Sequence, residues 1–323
     1  MKILVTGGCG FIGCHFIRLA LQSGNEVVNL DKLTYAGVRS TLRDIEGSRS
    51  YTFRQGDICS AEEVRSALAG CDAVVHFAAE SHVDRSIHNV HGFIQTNILG
   101  TAVLLEQARQ AGVEKFVMIS TDEVYGQIQQ GSFRETDLLN PRNPYSATKA
   151  GADRLAYSYF ATYGLPVVIT RSSNNFGPYQ FPEKVIPRFI TNLLLGKKVP
   201  LYGDGRNVRD WLHVEDNCRA ILRCLEAGRP GEIYNVGGGN EITNLELTRL
   251  ILKELGKGED MIELVHDRPG HDLRYSLDWS KIRDELDWSP REQFPSALAR
   301  TVRWYRENEW WWKSLIAGSE SPV

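Results

Sequence analysis

A chain of 323 residues is long enough for one large α/β unit, or for one core with a smaller appended lobe. Its net charge of −3 and its lack of Lys/Arg runs argue against a nucleic-acid or anionic-membrane partner, because such surfaces require clustered positive charge to displace counterions. Cys9, Cys14, Cys59, Cys71, Cys218 and Cys224 include no Cys-x-x-Cys pair and no histidine at zinc spacing, so neither a metal site nor a disulfide framework is expected.

The opening stretch, MKILVTGGCGFIG, is too short and too broken by glycine for a signal segment, and no later stretch reaches membrane-spanning length; the expected compartment is the cytoplasm. Lys2 to Thr6 reads as a buried strand that runs straight into Gly7-x-x-Gly10-x-x-Gly13 and a helix. That order lets backbone N–H groups and a helix N-terminus approach a pyrophosphate that a Cβ would hold off. The second strand, Glu26 to Leu30, ends at Asp31. A carboxylate there accepts from both ribose hydroxyls and repels a 2′-phosphate, so NAD is favoured over NADP. Thr52 to Arg54 and Ala73 to Ala78 read as the third and fourth strands. They lead to Asp57-Ile58, suited to an adenine edge, and to Phe77-Ala78-Ala79-Glu80, small residues against the cofactor. Open α/β sheets bind ligands at such carboxyl ends.

A helix from Val90 to Gln110 carries an apolar face broad enough to seat a second subunit. Phe116 to Ser120 is the fifth strand, and it ends on Thr121-Asp122-Glu123. Adjacent carboxylates at the end of a buried strand are costly to desolvate and ask for a chemical reason. A second helix, Tyr145 to Tyr163, places Tyr145 and Lys149 one above the other. An ammonium beside a phenol stabilises phenolate and would draw its pKa from about 10 toward the range of a general base. Val167 to Arg171 and Ile233 to Val236 are the remaining strands. Several strands are apolar throughout, which predicts a doubly wound, mainly parallel, Rossmann-like α/β sheet covered on both faces.

After Phe176 the rhythm loosens and Pro178, Pro182, Pro187 and Pro200 appear, which predicts a smaller C-terminal lobe. The expected division is 1–175 for cofactor and catalytic residues and 176–317 mainly for substrate, with about 215–237 returning to the sheet and 318–323 a frayed tail. Helices near Leu245 to Leu255 and Ser296 to Arg306 close the chain, and Trp310-Trp311-Trp312 is expected to pack the last helix.

The glycine turn, Asp31 and Tyr145-x-x-x-Lys149 together resemble the short-chain dehydrogenase/reductase superfamily, and the length resembles its extended branch. Within that branch an epimerase needs only redox at C4. A 4,6-dehydratase must also remove the C5 proton and expel the C6 hydroxyl as water, which calls for a base and an acid close together. DKLTYAG, HFAAESHVDRSI, STDEVYG, NPYSATKAGAD, RSSNNFGPYQFPEKVIP, PLYGDGRNVRDWLHVED and DRPGHDLRYSLD carry a resemblance to the dTDP-glucose 4,6-dehydratase family through nearly the whole chain. Cys9 and Cys14 stand where that family usually has Ala and Ser, and Phe176 where it has Tyr.

The resemblance implies that Tyr145, assisted by Lys149, takes the C4 hydroxyl proton as hydride passes to NAD, with Thr121 bonded to the developing carbonyl. It implies Glu123 as the base at C5 and a protonated Asp122 as the acid at the departing C6 oxygen. Repulsion between neighbouring carboxylates in a low-dielectric setting raises one of their pKa values. Cofactor contacts are implied for Gly7, Gly10, Phe11, Ile12, Gly13, Asp31, Lys32, Leu33, Thr34, Asp57, Ile58, Phe77, Ala78, Ala79, Glu80, Ser81, Thr96 and Asn175, besides Tyr145 and Lys149. Substrate contacts are implied for Ser81, Thr121, Asn174, Lys184, Val185, Pro200, Leu201, Tyr202, Arg209, Asn244, Asp267, Arg268, Pro269, Gly270 and His271. Arg209 with Arg268 or Arg274 suits a bidentate diphosphate clamp. The implied substrate is dTDP-glucose, and the implied assembly is a homodimer through the helices at 90–110 and 145–163. A 4-epimerase, a dehydratase of another nucleotide sugar, and an NAD-binding regulator without turnover remain as rival readings.

Overall fold

Apolar runs without polar alternation need cover on both faces, and the computed structural model, which describes residues 1–267 and 269–319, supplies it. The first six strands are β1 (Lys2–Thr6), β2 (Glu26–Asp31), β3 (Tyr51–Gln55), β4 (Ala73–His76), β5 (Lys115–Thr121) and β6 (Val167–Ser172). The others are β7 (Asn174–Phe176), β8 (Val199–Tyr202), β9 (Val208–His213), β10 (Ile233–Val236), β11 (Glu241–Thr243) and β12 (Ile262–Val265). The helices to β6 are α1 (Phe11–Gln22), α2 (Ala61–Leu68), α3 (Val83–His88), α4 (Val90–Phe93), α5 (Thr101–Ala111) and α6 (Pro144–Tyr163). After it come α7 (Val185–Leu194), α8 (Val214–Ala227), α9 (Asn244–Glu254), α10 (Ser280–Leu286), α11 (Phe294–Glu307) and α12 (Glu309–Ser319).

The seven strands expected from sequence form one sheet in the order β10-β6-β5-β4-β1-β2-β3, with every neighbouring pair parallel. The chain winds to one side of β1 and then to the other, so the switch point lies between β1 and β4, where such a sheet opens a crevice. Register makes the crevice: Thr6 pairs with both Leu30 and His76, so β1, β2 and β4 end nearly level. His76 pairs with Met118, and β5 continues through Ile119, Ser120 and Thr121 after β4 has ended. The residues that close β5 therefore project beyond the floor.

Alternation along each strand feeds two cores. Ile3, Val5, Val75 and Val117 pack with α1 and α8 on one face, while Leu4, Val74, Phe116 and Met118 pack with α2, α5 and α6 on the other. A third core under the C-terminal lobe gathers Phe189, Trp211, Leu247, Phe294 and Tyr305 with Trp311 and Trp312, as expected for two of the three adjacent tryptophans. Trp310 stays outside that core, with the Arg43 guanidinium 3.9 Å from its ring centre. Smaller sheets β11-β9-β7 and β12-β8 complete the lobe.

Two expectations need correction. The helix at 90–110 is not regular: between α4 and α5 the run Ile94–Gly100 is π-helical. The wider turn is pinned from inside, because Asn97 brackets the Glu80 backbone (Glu80 N to Oδ1 2.8 Å, Nδ2 to Glu80 O 3.0 Å) and Thr101 Oγ1 donates to Asn97 O at 2.6 Å. The tail expected to fray from position 318 is helical through Ser319, and its remainder, 320–323, lies outside the described residues, as does Arg268. No described helix is long and apolar enough to cross a membrane.

Candidate active site

The glycine turn sits against the end of β4. Gly7 has φ +70°, and a Cβ there would lie 2.6 Å from Ala78 N, so both conformation and space require glycine. A Cβ on Gly13 would lie 2.5 Å from Gly7 O, whereas one on Gly10 would meet only Gly7 O at 3.2 Å. Gly10 N-caps α1 and brings no side-chain cap, so no side chain of its own competes for the first-turn N–H groups.

One cleft brings together all five expected catalytic residues and, except for Leu33, every expected cofactor residue. Leu33 takes φ +58° and packs on the sheet core, while its N–H donates to Asp31 Oδ1 at 2.8 Å. Cys9 N donates to Asp31 Oδ2 at 2.8 Å. Each Asp31 oxygen thus already holds one backbone donor and keeps a second lone pair for a ribose hydroxyl. Lys32 Nζ pairs with Asp57 Oδ2 at 2.7 Å, tying the ends of β2 and β3 together. Cys9 and Cys14 are buried, and burial pushes both thiols up to about 12, so they serve as small apolar groups. Phe176 lies between the rings of Trp211, His213 and Phe294.

Thr121 caps the turn after β5: its Oγ1 accepts from Glu123 N at 3.3 Å and donates to Asp122 Oδ1 at 3.1 Å. Asp122 is only 2 % exposed. Burial first, and then the charge of Glu123, raise its pKa well above the ordinary carboxylate range, which favours the protonated form. Glu123 is half-buried, and its Oε2 accepts from Asn143 Nδ2 at 3.4 Å.

Tyr145 departs from expectation. Burial, followed by the charges of Glu123 and Asp122, pushes its phenol up rather than down, with Thr121 opposing through a hydrogen bond. The Lys149 ammonium turns to Ile119 O at 2.6 Å, and burial lowers it to about 8 against the pull of Asp153. Behind them, buried Arg171 grips Asp153 through two bonds of 2.9 Å and donates to Tyr125 Oη at 2.7 Å. Tyr125 donates in turn to Asn235 Oδ1 at 2.8 Å. This network ties α6 and the acidic turn to β6 and β10.

Of the expected substrate residues, Ser81, Thr121, Asn174 and Lys184 line the cleft; Val185, Pro200, Leu201, Tyr202, Arg209, Asn244, Asp267, Pro269, Gly270 and His271 do not. Part of the second group clusters in the C-terminal lobe, where His271 Nδ1 lies 2.6 Å from Asp267 Oδ1 and its ring 6.1 Å from that of Tyr202. Arg209 and Arg274 are both engaged with protein groups, and the alternative pairing of Arg209 with Arg268 lies outside the described residues. Arg209 donates to Val208 O and Asp272 O, and Arg274 holds Glu241 through two bonds of 2.7 and 2.9 Å.

Sequence reasoning missed Glu183, Gln180, Phe181 and Ser173 on the cleft wall, though all four fall within a quoted motif. Ser120 Oγ, Asp122 Oδ2, Ser173 Oγ, Asn174 Oδ1, Asn175 Oδ1 and Gln180 Oε1 are buried with no hydrogen-bond partner, and all six residues line the cleft. Unpaired buried polar atoms around one cleft suit a large polar ligand, and the glycine cradle suits its phosphates. No metal was expected; outside the cleft, His213, Glu215 and Glu292 bring possible ligand atoms within 4.8 Å, but Glu292 is ion-paired with Arg300.

Residues 4–301 match the family model described as GDP-mannose 4,6 dehydratase. The dTDP-glucose 4,6-dehydratase of Streptomyces niveus is 53 % identical over 99 % of this chain and 97 % of its own length. That of Escherichia coli is 44 % identical over 99 % and 97 %. Among solved structures, dTDP-glucose 4,6-dehydratase from Streptomyces venezuelae with NAD bound superposes with TM-score 0.96 at 54 % identity, covering 98 % of this chain and all of the other. The UDP-glucose 4-epimerase of Thermus thermophilus in complex with NAD gives 0.88 at 33 %, covering 95 % of this chain and 100 % of its own. With 53–54 % identity through nearly the whole length of both chains, and a buried Asp122 beside a half-buried Glu123 in the cleft of the glycine turn, the chain belongs to the dTDP-glucose 4,6-dehydratase family of the extended short-chain dehydrogenases/reductases.

Proposed function

We propose that this chain is an NAD-dependent hydro-lyase that converts dTDP-glucose to dTDP-4-keto-6-deoxyglucose and water. The carrying observation is the buried Asp122, its pKa raised, beside Glu123 in the cleft that also holds the glycine turn and Tyr145. A redox-only epimerase has no use for that couple. NAD, when bound, supplies the hydride acceptor, later the hydride donor, and while oxidised a positive charge.

Gly7, Gly10 and Gly13 would cradle the cofactor phosphates, and Asp31, Lys32, Thr34 and Asp57 would hold its adenosine end. Tyr145 takes the C4 hydroxyl proton, with Lys149 one helical turn away and Thr121 donating to the new carbonyl. That carbonyl acidifies C5–H. Glu123 removes the proton, Asp122 gives its own to the C6 oxygen, and water leaves. Glu123 then returns its proton to C5 as C6 is reduced, the proton that Tyr145 took from the C4 hydroxyl makes good the one Asp122 gave to water, and the deoxysugar nucleotide departs.

Residues 1–175 supply the cofactor wall and the catalytic groups, and Lys184 comes from the far side, which supports a division near 175 with α8 and β10 belonging to the sheet. Ser81, Asn174 and Lys184 are the nearest candidates to hold the sugar nucleotide, and the Tyr202–His271 cluster the more remote end. Exposed Val90, Ile94, Leu99, Tyr157 and Tyr163 support a homodimer through 90–110 and 145–163, to be read as a dimer mass in light scattering. Six free thiols suit the cytoplasm. Incubation with dTDP-, UDP-, CDP- and GDP-glucose under mass spectrometry tests the reading. Loss of water from dTDP-glucose supports it, an isobaric product means an epimerase, and absence of turnover means a regulator.

A further inference from the structure

The proposed base Glu123 is held by a side chain that takes no part in the reaction above. Asn143 N-caps α6: its Oδ1 accepts from Ser146 N at 2.9 Å, and Ser146 Oγ accepts from Asn143 N at 3.3 Å. The remaining donor, Nδ2, reaches Glu123 Oε2 at 3.4 Å. Asn143 is 8 % exposed, and Pro144 then Tyr145 follow it directly. One amide therefore joins the turn that carries the acid pair to the helix that carries the phenol.

Two physical consequences follow from that placement. A neutral donor fixes the rotation of a carboxylate without setting a counter-charge beside it, and a counter-charge would make the anion a weaker base. The spacing between the group acting at C4 and the group acting at C5 also depends on the cap, since both are anchored to it. Serine caps a helix about as well as asparagine, but it is shorter and brings no amide donor. Capping and carboxylate positioning can thus be separated by one substitution.

We propose that Asn143 is a positioning residue for the elimination step, orienting Glu123 at C5 while it starts the helix that presents Tyr145 at C4. This rests on the reading of Glu123 as the C5 base. The test compares wild type, Asn143→Ser and Asn143→Asp, each as the full chain with NAD and dTDP-glucose. In Asn143→Ser the thermal midpoint stays within about 2 °C, since the cap survives. kcat falls roughly 10- to 100-fold with KM within about twofold, the pattern of a misplaced reacting group. Reduced nicotinamide builds up during turnover because the C4 step outruns the elimination, and a crystal structure of the variant shows the Glu123 carboxylate turned away. Asn143→Asp keeps size and cap but replaces the amide donor by an anion that repels the Glu123 carboxylate from its place, and is slowed at the same step. Wild-type turnover matched by Asn143→Ser overturns the proposal alone, and so does a slowed Asn143→Ser with no build-up of reduced nicotinamide. If wild type itself forms no 4-keto product, the functional reading falls and takes this proposal with it.

Discussion

Tyr35 donates its hydroxyl to Glu183 Oε1 at 2.8 Å, joining the loop after β2 to the loop before α7 across 148 positions of chain. The Arg85 guanidinium lies 3.7 Å over the Tyr35 ring, its Nε is 3.4 Å from Glu183 Oε2, and Phe181 meets the same ring edge-on at 5.4 Å. Ala36 and Gly37 beside Tyr35 line the cleft, as do Phe181, Glu183 and Lys184, so the contact straps one wall to the other. Tyr35→Phe removes the hydroxyl and leaves the ring contacts. A hydrogen bond to a carboxylate is worth about 1.5 kcal/mol, roughly tenfold in a dissociation rate. Bound NAD should therefore be lost about tenfold faster on dialysis, followed by the cofactor absorbance of the retained protein. Equal retention would show that the strap does not hold the cofactor.

Glu123→Gln keeps the shape of the side chain and the acceptor for Asn143 Nδ2, but cannot take a proton. Mixed with dTDP-glucose, the variant should reduce bound NAD and then stall, with absorbance of the reduced cofactor persisting and no deuterium entering C5 from heavy water. Product formation at the wild-type rate would remove Glu123 from the role of base.

The same cleft shows what a sequence can and cannot disclose. Most of the seven strands were legible as short apolar runs, β3 (YTFRQ) being the polar one, and the glycine turn because its order between strand and helix leaves few other uses. Leu33 was not: it sits in a motif that lines the cleft, but φ +58° turns it into the core. Helical spacing correctly set Lys149 one turn from Tyr145, yet the carbonyl of Ile119, which claims the ammonium, belongs to a strand 30 positions earlier. The π-helical run had no signal at all, since Asn97 acquires its reason only from the Glu80 backbone. Spacing reports neighbours along one element, whereas electrostatics and cleft walls are set by which elements meet.

Arg171 and Asp153 test the frame behind the chemistry. Both are fully buried, at 1 % and 0 % exposed, and the Arg171 guanidinium also holds Tyr125, two residues after Glu123. Removing one partner leaves a buried charge without its counterpart and costs about 3–5 kcal/mol. Asp153→Asn should lower the urea midpoint accordingly, and Asp153→Asn with Arg171→Met should recover much of the loss, since no charge is then stranded. A double variant no more stable than the single one would mean that the hydrogen bonds to Tyr125, and not charge pairing, carry the stability.

Buried histidines make acid stability a further test. His76 ends β4 at 1 % exposure, with Nδ1 2.7 Å from Thr6 Oγ1 and Nε2 3.0 Å from Thr101 Oγ1. Burial first, and then the charge of Lys149, lower its pKa from 6.5 to about 3, and burial lowers His15 to about 4. A folded pKa below the unfolded one means that the unfolded chain binds more protons between the two values. Stability is therefore full above 6.5 and lost as the pH falls from there toward 3. Each such group contributes a slope of about 1.4 kcal/mol per pH unit within its window. Asp31 and Glu80, whose carboxyls burial raises, act in the opposite sense, so the comparison must be between slopes. His76→Asn keeps a donor and an acceptor for the two hydroxyls and cannot titrate. Its unfolding free energy, measured in urea between about pH 6 and 4.5, should fall less steeply than that of the wild type by about 1.4 kcal/mol per pH unit. Parallel slopes would mean that the folded protein lets His76 protonate as freely as the unfolded chain does.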